Sequence, residues 1–565
     1  MIFSNGSDNL AKDAGSAKGV RRNKMSIPES ATFDYIIAGA GAAGCVLANR
    51  LSADPRVRVC LVEAGSSDRR PLTRAKVNLP VGNTILLSSP KFNWGYFYKG
   101  EPGLHHDGVA AHRGRVSGGS SAVNGMVYMR GHRRDYDRWA ALGNPGWSFD
   151  EVLPFFKKQE NHECGADDFH GTGGELNVAP LRWVNPLTRA FIDAAVETQF
   201  ARNPDFNGAM QDGFGTQEVT QRNGQRWSSA RAFLDPVRHR RNLTVLHDTL
   251  SLRVRFEGRR AVGLSVRNGG AERDLAARRE VILAAGAFNS PQLLLLSGVG
   301  PEAALRPHGI AVVHDLPGVG QNLHDHPSVW VRMEDRSARS YALTARAAPW
   351  LAAAVVSYAL LRQGPLTSNV VEGGGFIRTR PELPAPDLQF VFMPAIKDFR
   401  RWIGREHGFG VGATLLQPKS RGFVALESAD PARPPILQPH FLDNPDDLAT
   451  LVQGIRIARQ ILSAPALASA RGKELTPGED VTTTAALETY ARNTLQTSFH
   501  PAGTCKMGPD SDAMAVVDAE LRVRGLEGLR VIDASIMPAV VSGNTNAPTM
   551  MIAERGAAFI AAAAH

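Results

Sequence analysis

The stretch Tyr35-Ile36-Ile37-Ala38-Gly39-Ala40-Gly41-Ala42-Ala43-Gly44 decides the fold. It is an apolar run that ends in a glycine-rich turn. A helical pattern follows over Cys45 to Leu51, and a second apolar strand, Val57 to Val62, leads into Glu63. A strand, glycine turn, helix, strand and acid within about thirty residues form the dinucleotide-binding fingerprint. The sequence therefore predicts a Rossmann-like unit whose helix N-terminus receives a pyrophosphate.

Each glycine of this fingerprint, and the acid that follows it, has its own physical role. Gly39 permits the tight turn, Gly41 lets the backbone approach a phosphate, and Gly44 lets the helix pack closely on the strand. The Glu63 carboxylate can accept hydrogen bonds from both ribose hydroxyls, and it would repel a 2′-phosphate. These residues predict that the ligand is FAD or NAD rather than NADP.

Composition excludes several classes of protein. The 565 residues are 43% hydrophobic and 21% charged, which is ordinary globular usage. No window reaches the ~20 apolar residues of a spanning helix. The net charge of +9 is scattered rather than blocked, so we predict no nucleic-acid partner. The four cysteines include no CxxC pair, which favours a reducing compartment, and we expect a cytoplasmic protein.

Further apolar runs suggest that the nucleotide-binding domain is discontinuous. Strands are predicted at Leu243 to Leu246, Ala261 to Val266 and Glu280 to Ala285, and the last leads into a second turn and helix. Three later runs are predicted to form one antiparallel sheet: Asp387 to Met393, Gly410 to Leu416 and Gly422 to Leu426.

Five separated motifs together resemble the glucose–methanol–choline (GMC) oxidoreductases, a family of FAD-dependent enzymes. Within that family the sequence is most similar to the branch of choline dehydrogenases and aliphatic alcohol dehydrogenases. The motifs occur in the family's order and cover residues 33–560: the fingerprint with Glu63, Arg115 to Met126, Gly286 to Gly298, Ser498 to Thr504, and Asp533 to Thr549.

The resemblance implies an α/β fold of two domains (α+β in organisation), with a discontinuous Rossmann-like FAD-binding domain and an inserted antiparallel-sheet substrate domain. We expect a disordered or non-native tail before this fold. The predicted division is 1–30 for the tail, 31–330 for the FAD-binding domain with a substrate-domain insertion at about 145–230, 331–495 mainly for the substrate-binding domain, and 496–565 for the return to the FAD-binding domain.

The resemblance also assigns the FAD contacts. Ala111 stands where some relatives carry a histidine that attaches the flavin, and His112 is one step away, so we expect non-covalent FAD. Ser251 matches a valine whose backbone contacts adenine in relatives. The predicted cofactor-binding residues are Gly39, Gly41, Ala42, Ala43, Gly44, Glu63, Val116, Ser120, Asn124, Gly125, Met126, Val127, Ser251, Asp533, Ala534, Asn546, Pro548 and Thr549.

Alcohol oxidation requires a base for the hydroxyl proton, and histidine titrates in the right range. Relatives carry His–Asn or His–His pairs, so His500 is predicted as the base and Asn546 as its hydrogen-bonding partner. A helix beginning near Thr549 would direct its positive end toward the flavin. The run His324-Asp325-His326 lacks a third ligand at helical spacing, and no metal is predicted.

The substrate prediction follows from the segment Ser340 to Gly364, which is rich in Ala, Leu and Val and is expected to roof the pocket. With Thr367 to Val370 it suggests an apolar channel for a primary alcohol, which is oxidised to its aldehyde. Glu372 remains a possible counter-ion for choline, so choline oxidation stays an alternative.

The electron acceptor stays open between quinone, a carrier and oxygen, so an oxygen-using alcohol oxidase of the same family is a further alternative. The stretch Ala347 to Leu361 is either an ordinary buried helix or a peripheral membrane contact. Two other classes are weighed. An NAD-dependent dehydrogenase would need a different hydride acceptor, and a non-catalytic flavoprotein would need His500 to have no catalytic role.

Overall fold

Two seven-stranded sheets organise the chain, which the computed structural model describes over residues 31–344, 348–396, 404 and 406–563. The predicted tail at residues 1–30 lies outside the described residues, as does Ala347. The neighbour order in the first sheet is Leu243–Leu246, Val59–Val62, Ala31–Ala38, Ala271–Leu283, Arg260–Asn268 and Thr249–Glu257, and Leu529–Val531 also pairs with Ala271–Leu283.

Five strands of the first sheet run parallel to one another: Leu243–Leu246, Val59–Val62, Ala31–Ala38, Ala271–Leu283 and Leu529–Val531. The other two, Arg260–Asn268 and Thr249–Glu257, pair antiparallel. Val59–Val62 is buried at every position, as expected for a parallel strand covered on both faces. The helix Ala42–Leu51 starts directly after the glycine turn, and the last helix, Asn546–Ala563, packs against it. Arg50 on the first of these helices donates to Glu554 on the second, which ties the two ends of the fold together.

The second sheet is antiparallel throughout. Its inner strand Gly408–Leu415 is fully buried, and the helices Pro186–Glu197 and Pro445–Leu462 pack on the sheet. Both helices present apolar faces to it, as amphipathic helices on a half-buried sheet should. The neighbour order is Arg471–Thr476, Pro327–Asp335, Gly408–Leu415, Leu388–Met393, Gly373–Ile377 and Gly213–Thr216, and Gln496–Thr497 also pairs with Pro327–Asp335.

Shorter elements connect and flank the two sheets. The remaining helices are Pro71–Asn78, Asn83–Leu87, Arg133–Ala141, Phe149–Gln159, Gly286–Leu296, Glu302–Leu305, Ala348–Leu361 and Thr484–Thr494. The small sheets are formed by Phe97–Lys99 with Gly108–Ala110, Glu160–His162 with Leu176–Val178, Gln221–Arg222 with Gln225–Arg226, Val299–Gly300 with His314–Asp315, and Gln321–Leu323 with Gly422–Ala425 and Ile436–Gln438.

Two sequence predictions about these elements were wrong. Gly422–Ala425 does not join the antiparallel sheet of the two runs before it, because it pairs instead with Gln321–Leu323 and Ile436–Gln438. The last helix begins at Asn546 rather than near Thr549. An apolar run fixes that a segment is a strand, but the partner strand depends on long-range packing.

The helix Ala348–Leu361 lies on the surface and is not the ordinary buried helix of the first alternative. Val355 and Val356 are each 56% exposed, and Leu360 is 77% exposed. None of the described residues between Ser340 and Gly364 lines the main cavity, so the prediction that this segment roofs the pocket was wrong. Within the described part of the chain, no helix is long and apolar enough to cross a bilayer.

Candidate active site

A cavity opens where the carboxyl ends of the parallel strands meet the second sheet. Ala38 and Val62 end two of the parallel strands and line it from one side, while Val391 and Met393 line it from the other. Ligands of open α/β sheets bind at this edge, because the strands end there and the following helices start there. The cavity is therefore the candidate site.

The glycine turn forms one wall of the cavity, and its three glycines differ in what surrounds them. Gly39 has φ +107°, and a Cβ there would lie 2.6 Å from the carbonyl oxygen of Ala284. A Cβ on Gly44 would lie only 1.8 Å from the carbonyl oxygen of Gly39, so that glycine serves helix packing. A Cβ on Gly41 would meet nothing within 4 Å. Gly41 thus leaves room beside a helix N-terminus that no side chain caps, which fits a phosphate group.

Glu63 is held rigidly beside this turn. The backbone N–H of Ala40 donates to its Oε2 at 3.0 Å, and that of Gly65 donates to its Oε1 at 2.7 Å. Burial raises the pKa of the carboxyl to about 7, against these backbone hydrogen bonds, which lower it. Both carboxylate oxygens keep a second lone pair, and the residue lines the cavity. This placement fits the predicted recognition of ribose hydroxyls.

The second glycine-rich loop packs directly on the first. A Cβ on Gly119 would lie 2.7 Å from the Cα of Gly41, so the two loops can approach only without side chains. Asn124 lines the cavity and accepts from Arg226 at 2.8 Å, and Met126 adopts φ +59°. A non-glycine residue at positive φ is strained, and such strain concentrates at functional sites.

Asp533 follows the strand Leu529–Val531 of the first sheet and is held by four hydrogen bonds. Its Oδ2 accepts from the N–H of Gly286 at 2.8 Å and from the hydroxyl of Ser290 at 2.6 Å. Its Oδ1 accepts from the N–H and the hydroxyl of Ser535 at 2.8 and 2.6 Å. The carboxylate therefore joins the second strand–turn–helix to the C-terminal segment at the edge of the cavity.

His500 is held at the cavity by its backbone. Its N–H donates to Asp325 Oδ1 at 2.7 Å, and the same oxygen accepts from the N–H of His326 at 2.7 Å. Phe499 immediately before it has φ +65°, and Arg113 donates to the Phe499 carbonyl. Burial lowers the pKa of His500 well below its usual range, with smaller contributions from His326 and Arg113. The imidazole is neutral at pH 7 and can act as a base.

His326 determines which nitrogen of His500 carries the proton. Its Nε2 lies 3.1 Å from the carbonyl oxygen of Leu416, which can only accept. Burial lowers the pKa of His326 to about 4, so the neutral ring carries its one proton on Nε2 and accepts at Nδ1. The Nδ1 of His500 lies 3.0 Å away and must donate, which leaves His500 Nε2 unprotonated and able to accept. We assign this tautomer from the hydrogen-bond network.

The structure corrects the partner of His500. The amide nitrogen of Asn544, not of Asn546, lies 3.1 Å from His500 Nε2. Asn546 is the first residue of the last helix and lines the cavity. The sequence Asn544-Thr545-Asn546 contains two asparagines two positions apart. Which of them contacts His500 depends on where the last helix begins, and this could not be predicted from the sequence. Asn544 Oδ1 is buried and has no hydrogen-bond partner among the described residues, so it can still accept one.

The cavity brings most of the predicted site residues together. Three predicted residues do not line it: Gly44 packs the helix, Pro548 is buried in the last helix, and Val116 packs in a small cluster with Val77 and Phe92. The predicted residues that line it are Gly39, Gly41, Ala42, Ala43, Glu63, Ser120, Asn124, Gly125, Met126, Val127, Ser251, His500, Asp533, Ala534, Asn546 and Thr549. Sequence reasoning missed Trp94, Arg113, Phe288, Phe499 and Asn544, which also line it.

The run His324-Asp325-His326 is used for hydrogen bonds within the protein. His324 Nδ1 lies 2.6 Å from the carbonyl oxygen of Asn322, and its Nε2 accepts from the N–H of Val540 at 2.8 Å. Asp325 accepts from Tyr98 at 2.8 Å as well as from the two backbone N–H groups. These hydrogen bonds hold the loop that carries His500 in place.

The side of the cavity that faces the second sheet carries no charged side chain among the described residues. Val371, Val391 and Met393 line it together with Gln217 and Gln389. Glu372, the candidate counter-ion, is fully buried and does not line the cavity. Its carboxylate accepts four hydrogen bonds, from Tyr341, Ser368, Thr188 and the N–H of Asn185. It is thus a structural residue.

The glycine cradle, the ribose-facing acid and the neutral histidine define a flavin-dependent dehydrogenase or oxidase. Residues 33–328 and 418–553 match the N- and C-terminal family models of the GMC oxidoreductases. The chain belongs to the GMC oxidoreductase family, and it is an FAD-dependent enzyme that oxidises CH–OH groups.

Curated relatives agree over nearly the whole chain. The chain is 45% identical to "Alcohol dehydrogenase [acceptor]" of Pseudomonas putida over 532 residues, which covers 94% of this chain and 95% of the relative. It is 42% identical to the mitochondrial choline dehydrogenase of Mus musculus over 533 residues, covering 94% and 89%.

Solved structures show the same fold. Pyridoxine 4-oxidase from Mesorbium loti superposes with a TM-score of 0.83 at 30% identity, covering 93% of this chain and 98% of that one. A formate oxidase variant from Aspergillus oryzae gives a TM-score of 0.87 at 26% identity, covering 95% and 99%.

Proposed function

We propose that this enzyme oxidises a primary aliphatic or arylalkyl alcohol to its aldehyde, with His500 as the base. One observation carries the proposal: His500 Nε2 is unprotonated and accepts from the amide nitrogen of Asn544 at 3.1 Å. A hydroxyl group that binds between the two can replace this hydrogen bond, because it can donate its proton to Nε2 and accept from the amide. The bound FAD would be held by the glycine turn, Glu63 and the N-terminus of the last helix, and it supplies the acceptor for the hydride that leaves the alcohol carbon.

The protein's own groups account for the proton. The alcohol hydroxyl donates to His500 Nε2, and the amide of Asn544 donates to the alcohol oxygen, where negative charge develops. His500 becomes protonated at Nε2 while its Nδ1–H remains bound to His326. Because the site is buried, the hydrogen bonds to the developing charge are stronger than in water.

The lining of the cavity favours an uncharged substrate. Among the described residues that line it, the carboxylates are Glu63 and Asp533, and both already accept hydrogen bonds from the nucleotide-side backbone. A quaternary ammonium needs ring faces and a counter-charge. Glu372 supplies no counter-charge to the cavity, so the uncharged side of the cavity suits an alkyl or aryl chain.

A kinetic series tests this proposal. Straight-chain and arylalkyl alcohols are compared with choline by stopped-flow loss of flavin absorbance without oxygen. We expect kcat/KM to rise with chain length and to exceed that for choline by at least tenfold. Choline as the best substrate, with no turnover of longer alcohols, would refute the apolar-cavity argument and favour the choline alternative.

We further propose that the electrons leave to a membrane quinone, with helix Ala348–Leu361 resting on an anionic membrane surface. The helix contains no charged residue, and Leu360 and Leu361 are 77% and 62% exposed. Arg362 follows it directly and lies 4.7 Å from the ring of Tyr358. An apolar helix that ends at an arginine fits the interface of an anionic bilayer.

Two measurements test the acceptor and the contact. Peroxide formation is compared with quinone reduction during alcohol turnover, and we expect quinone reduction to dominate. Flotation with phosphatidylglycerol-containing vesicles should recover the protein, and Leu360→Ser with Leu361→Ser should abolish the recovery. Met210→Ser, a change at an exposed residue outside this helix, is the matched control. Equal flotation of the helix variant, or peroxide as the main product, argues against this acceptor model.

A further inference from the structure

A cluster of histidines and carboxylates lies outside the candidate active site. His162 and His170 stack with ring centroids 4.0 Å apart and planes 18° apart. One nitrogen-or-oxygen ligand atom from each of His162, His170 and Glu218 lies within 4.8 Å of the others. Asp205 borders this group of three, since its Oδ2 lies 3.1 Å from His170 Nε2. None of these four residues lines the cavity or takes part in the chemistry proposed above.

Each histidine is oriented from behind by an acceptor on its Nδ1. His162 Nδ1 lies 3.2 Å from the carbonyl oxygen of Gly165, and His170 Nδ1 lies 3.2 Å from Glu160 Oε1. Metal-binding histidines usually donate their second ring N–H to a carbonyl or carboxylate in this manner. Their Nε2 atoms then point at carboxylates: that of His162 lies 2.6 Å from Glu218 Oε1.

The charges leave room for a divalent cation. Glu160, Asp205 and Glu218 bring three negative charges, and Arg130, paired with Glu160 at 2.7 Å, brings one positive charge. In the metal-free protein both ring nitrogens of each histidine lie beside acceptors, so zinc binding must displace a proton from each ring. With both histidines neutral the cluster carries two net negative charges. Arg130 Nη2 also lies 3.3 Å from His170 Nδ1, but its shorter contact is to Glu160.

We propose that His162, His170, Asp205 and Glu218 form a structural zinc site. Two imidazole nitrogens and two carboxylate oxygens are a ligand set that Zn²⁺ accepts, with four-coordinate geometry. At zinc–ligand distances of about 2.1 Å, tetrahedral ligand atoms lie about 3.4 Å apart. The two stacked rings must therefore rotate out of their nearly parallel planes to direct both Nε2 lone pairs at one ion.

The position of the site gives the zinc a role. The ligands come from three separate segments near residues 162–170, 205 and 218, which the ion would join. Glu218 accepts from the N–H of Tyr128 at 2.9 Å through its backbone, and the adjacent Gln217 lines the cavity. Zinc would therefore stiffen the wall of the substrate cavity without touching the substrate.

Zinc binding to the FAD-loaded enzyme tests the proposal directly. The protein is purified without a polyhistidine tag and carries Cys164→Ser, because Cys164 is exposed and a free thiol binds zinc by itself. After treatment with a chelator and dialysis, it is titrated with ZnCl₂ and passed through a desalting column. We expect one retained zinc per chain and a thermal midpoint several degrees above that of the zinc-free protein.

Variants distinguish this site from adventitious binding. His162→Gln and Glu218→Gln should weaken zinc binding at least tenfold and remove the thermal shift, while the flavin content stays unchanged. His239→Gln, a change at an exposed histidine outside the cluster, should leave both unchanged. The proposal is overturned by the absence of retained zinc in the Cys164→Ser protein, or by unchanged zinc binding in His162→Gln.

Discussion

The Nδ1 atoms of His326 and His500 lie 3.0 Å apart, with the two rings nearly perpendicular at 85°. Two neutral imidazoles in this contact cannot both donate, so one proton position fixes the other. The carbonyl of Leu416 sets the first ring, which sets the second. The backbone oxygen of Leu416, two contacts away, thus determines that His500 Nε2 is the unprotonated nitrogen.

Replacing His500 tests the base. His500→Ala should keep FAD and lower the rate of flavin reduction by alcohol ~10²–10⁴-fold, the usual contribution of a general base. His239→Ala, at an exposed site, serves as the control. The measurement is stopped-flow flavin reduction together with the flavin content of the purified protein. A normal rate in His500→Ala would place the base elsewhere.

Substitutions of Asn544 and of Asn546 should have clearly different effects on kcat. Asn544→Ala removes the amide that lies 3.1 Å from His500, and we expect a fall in kcat of about 10²-fold, as for the loss of one donor to developing charge. Asn546→Ala changes only the first residue of the last helix and should reduce kcat much less. Equal losses, or a larger loss in Asn546→Ala, would return the role to the residue predicted from the sequence.

His326 should control the pH behaviour of the base. His326→Leu leaves the Nδ1–H of His500 without an acceptor, and we expect kcat to fall about tenfold or more with a changed pH profile. His326→Gln, whose Oε1 can accept from that N–H, should recover part of the rate. A purely structural role would predict the same pH profile for both variants and the wild type.

The same histidine gives a pH dependence of stability. Its pKa is about 4 in the folded protein and about 6.5 in an unfolded chain. Between these values only the unfolded state gains the proton, so the free energy of unfolding falls as the pH drops from 6.5 to 4, by on the order of 3 kcal/mol. Calorimetry at pH 7 and pH 5 should show a smaller loss in His326→Gln than in the wild type.

Substitutions at Gly41 and Gly44 should separate an effect on cofactor binding from an effect on folding. Gly41→Ala places a methyl where nothing lies within 4 Å and keeps φ −80°, so the apoprotein should fold normally. The methyl occupies the place proposed for the phosphates, and FAD affinity should fall at least tenfold. Gly44→Ala puts a carbon 1.8 Å from a carbonyl oxygen and should instead destabilise the whole protein. Unchanged FAD affinity in Gly41→Ala would show that the phosphates lie elsewhere.

Glu372 provides a last test of substrate charge. Its carboxylate accepts four internal hydrogen bonds, so Glu372→Gln should lower the thermal midpoint while leaving the ratio of choline to alcohol kcat/KM unchanged. The two measurements are a thermal melt and substrate kinetics. A selective loss of choline turnover would make this residue a counter-ion after all.

Local sequence was sufficient for the parts of the site that depend on local geometry. The turn at Gly39 to Gly44 and the acid at Glu63 could be predicted, because their spacing encodes one strand–turn–helix unit. The choice of Asn544 over Asn546 depends on where the last helix begins and how it meets His500. The helix Ala348–Leu361 is apolar on all sides, so its pattern could not tell a buried position from an exposed one.

The strand Leu529–Val531 pairs with Ala271–Leu283, and Arg530 in it donates to Glu280 at 2.8 Å. During synthesis, the ribosome has therefore made more than nine-tenths of the chain before the first sheet can be completed. Until then Val281–Leu283 has an open edge, which is the kind of surface that promotes aggregation of nascent proteins. Asn544 follows the strand that closes this edge, so its contact with His500 also waits for the last tenth of the chain.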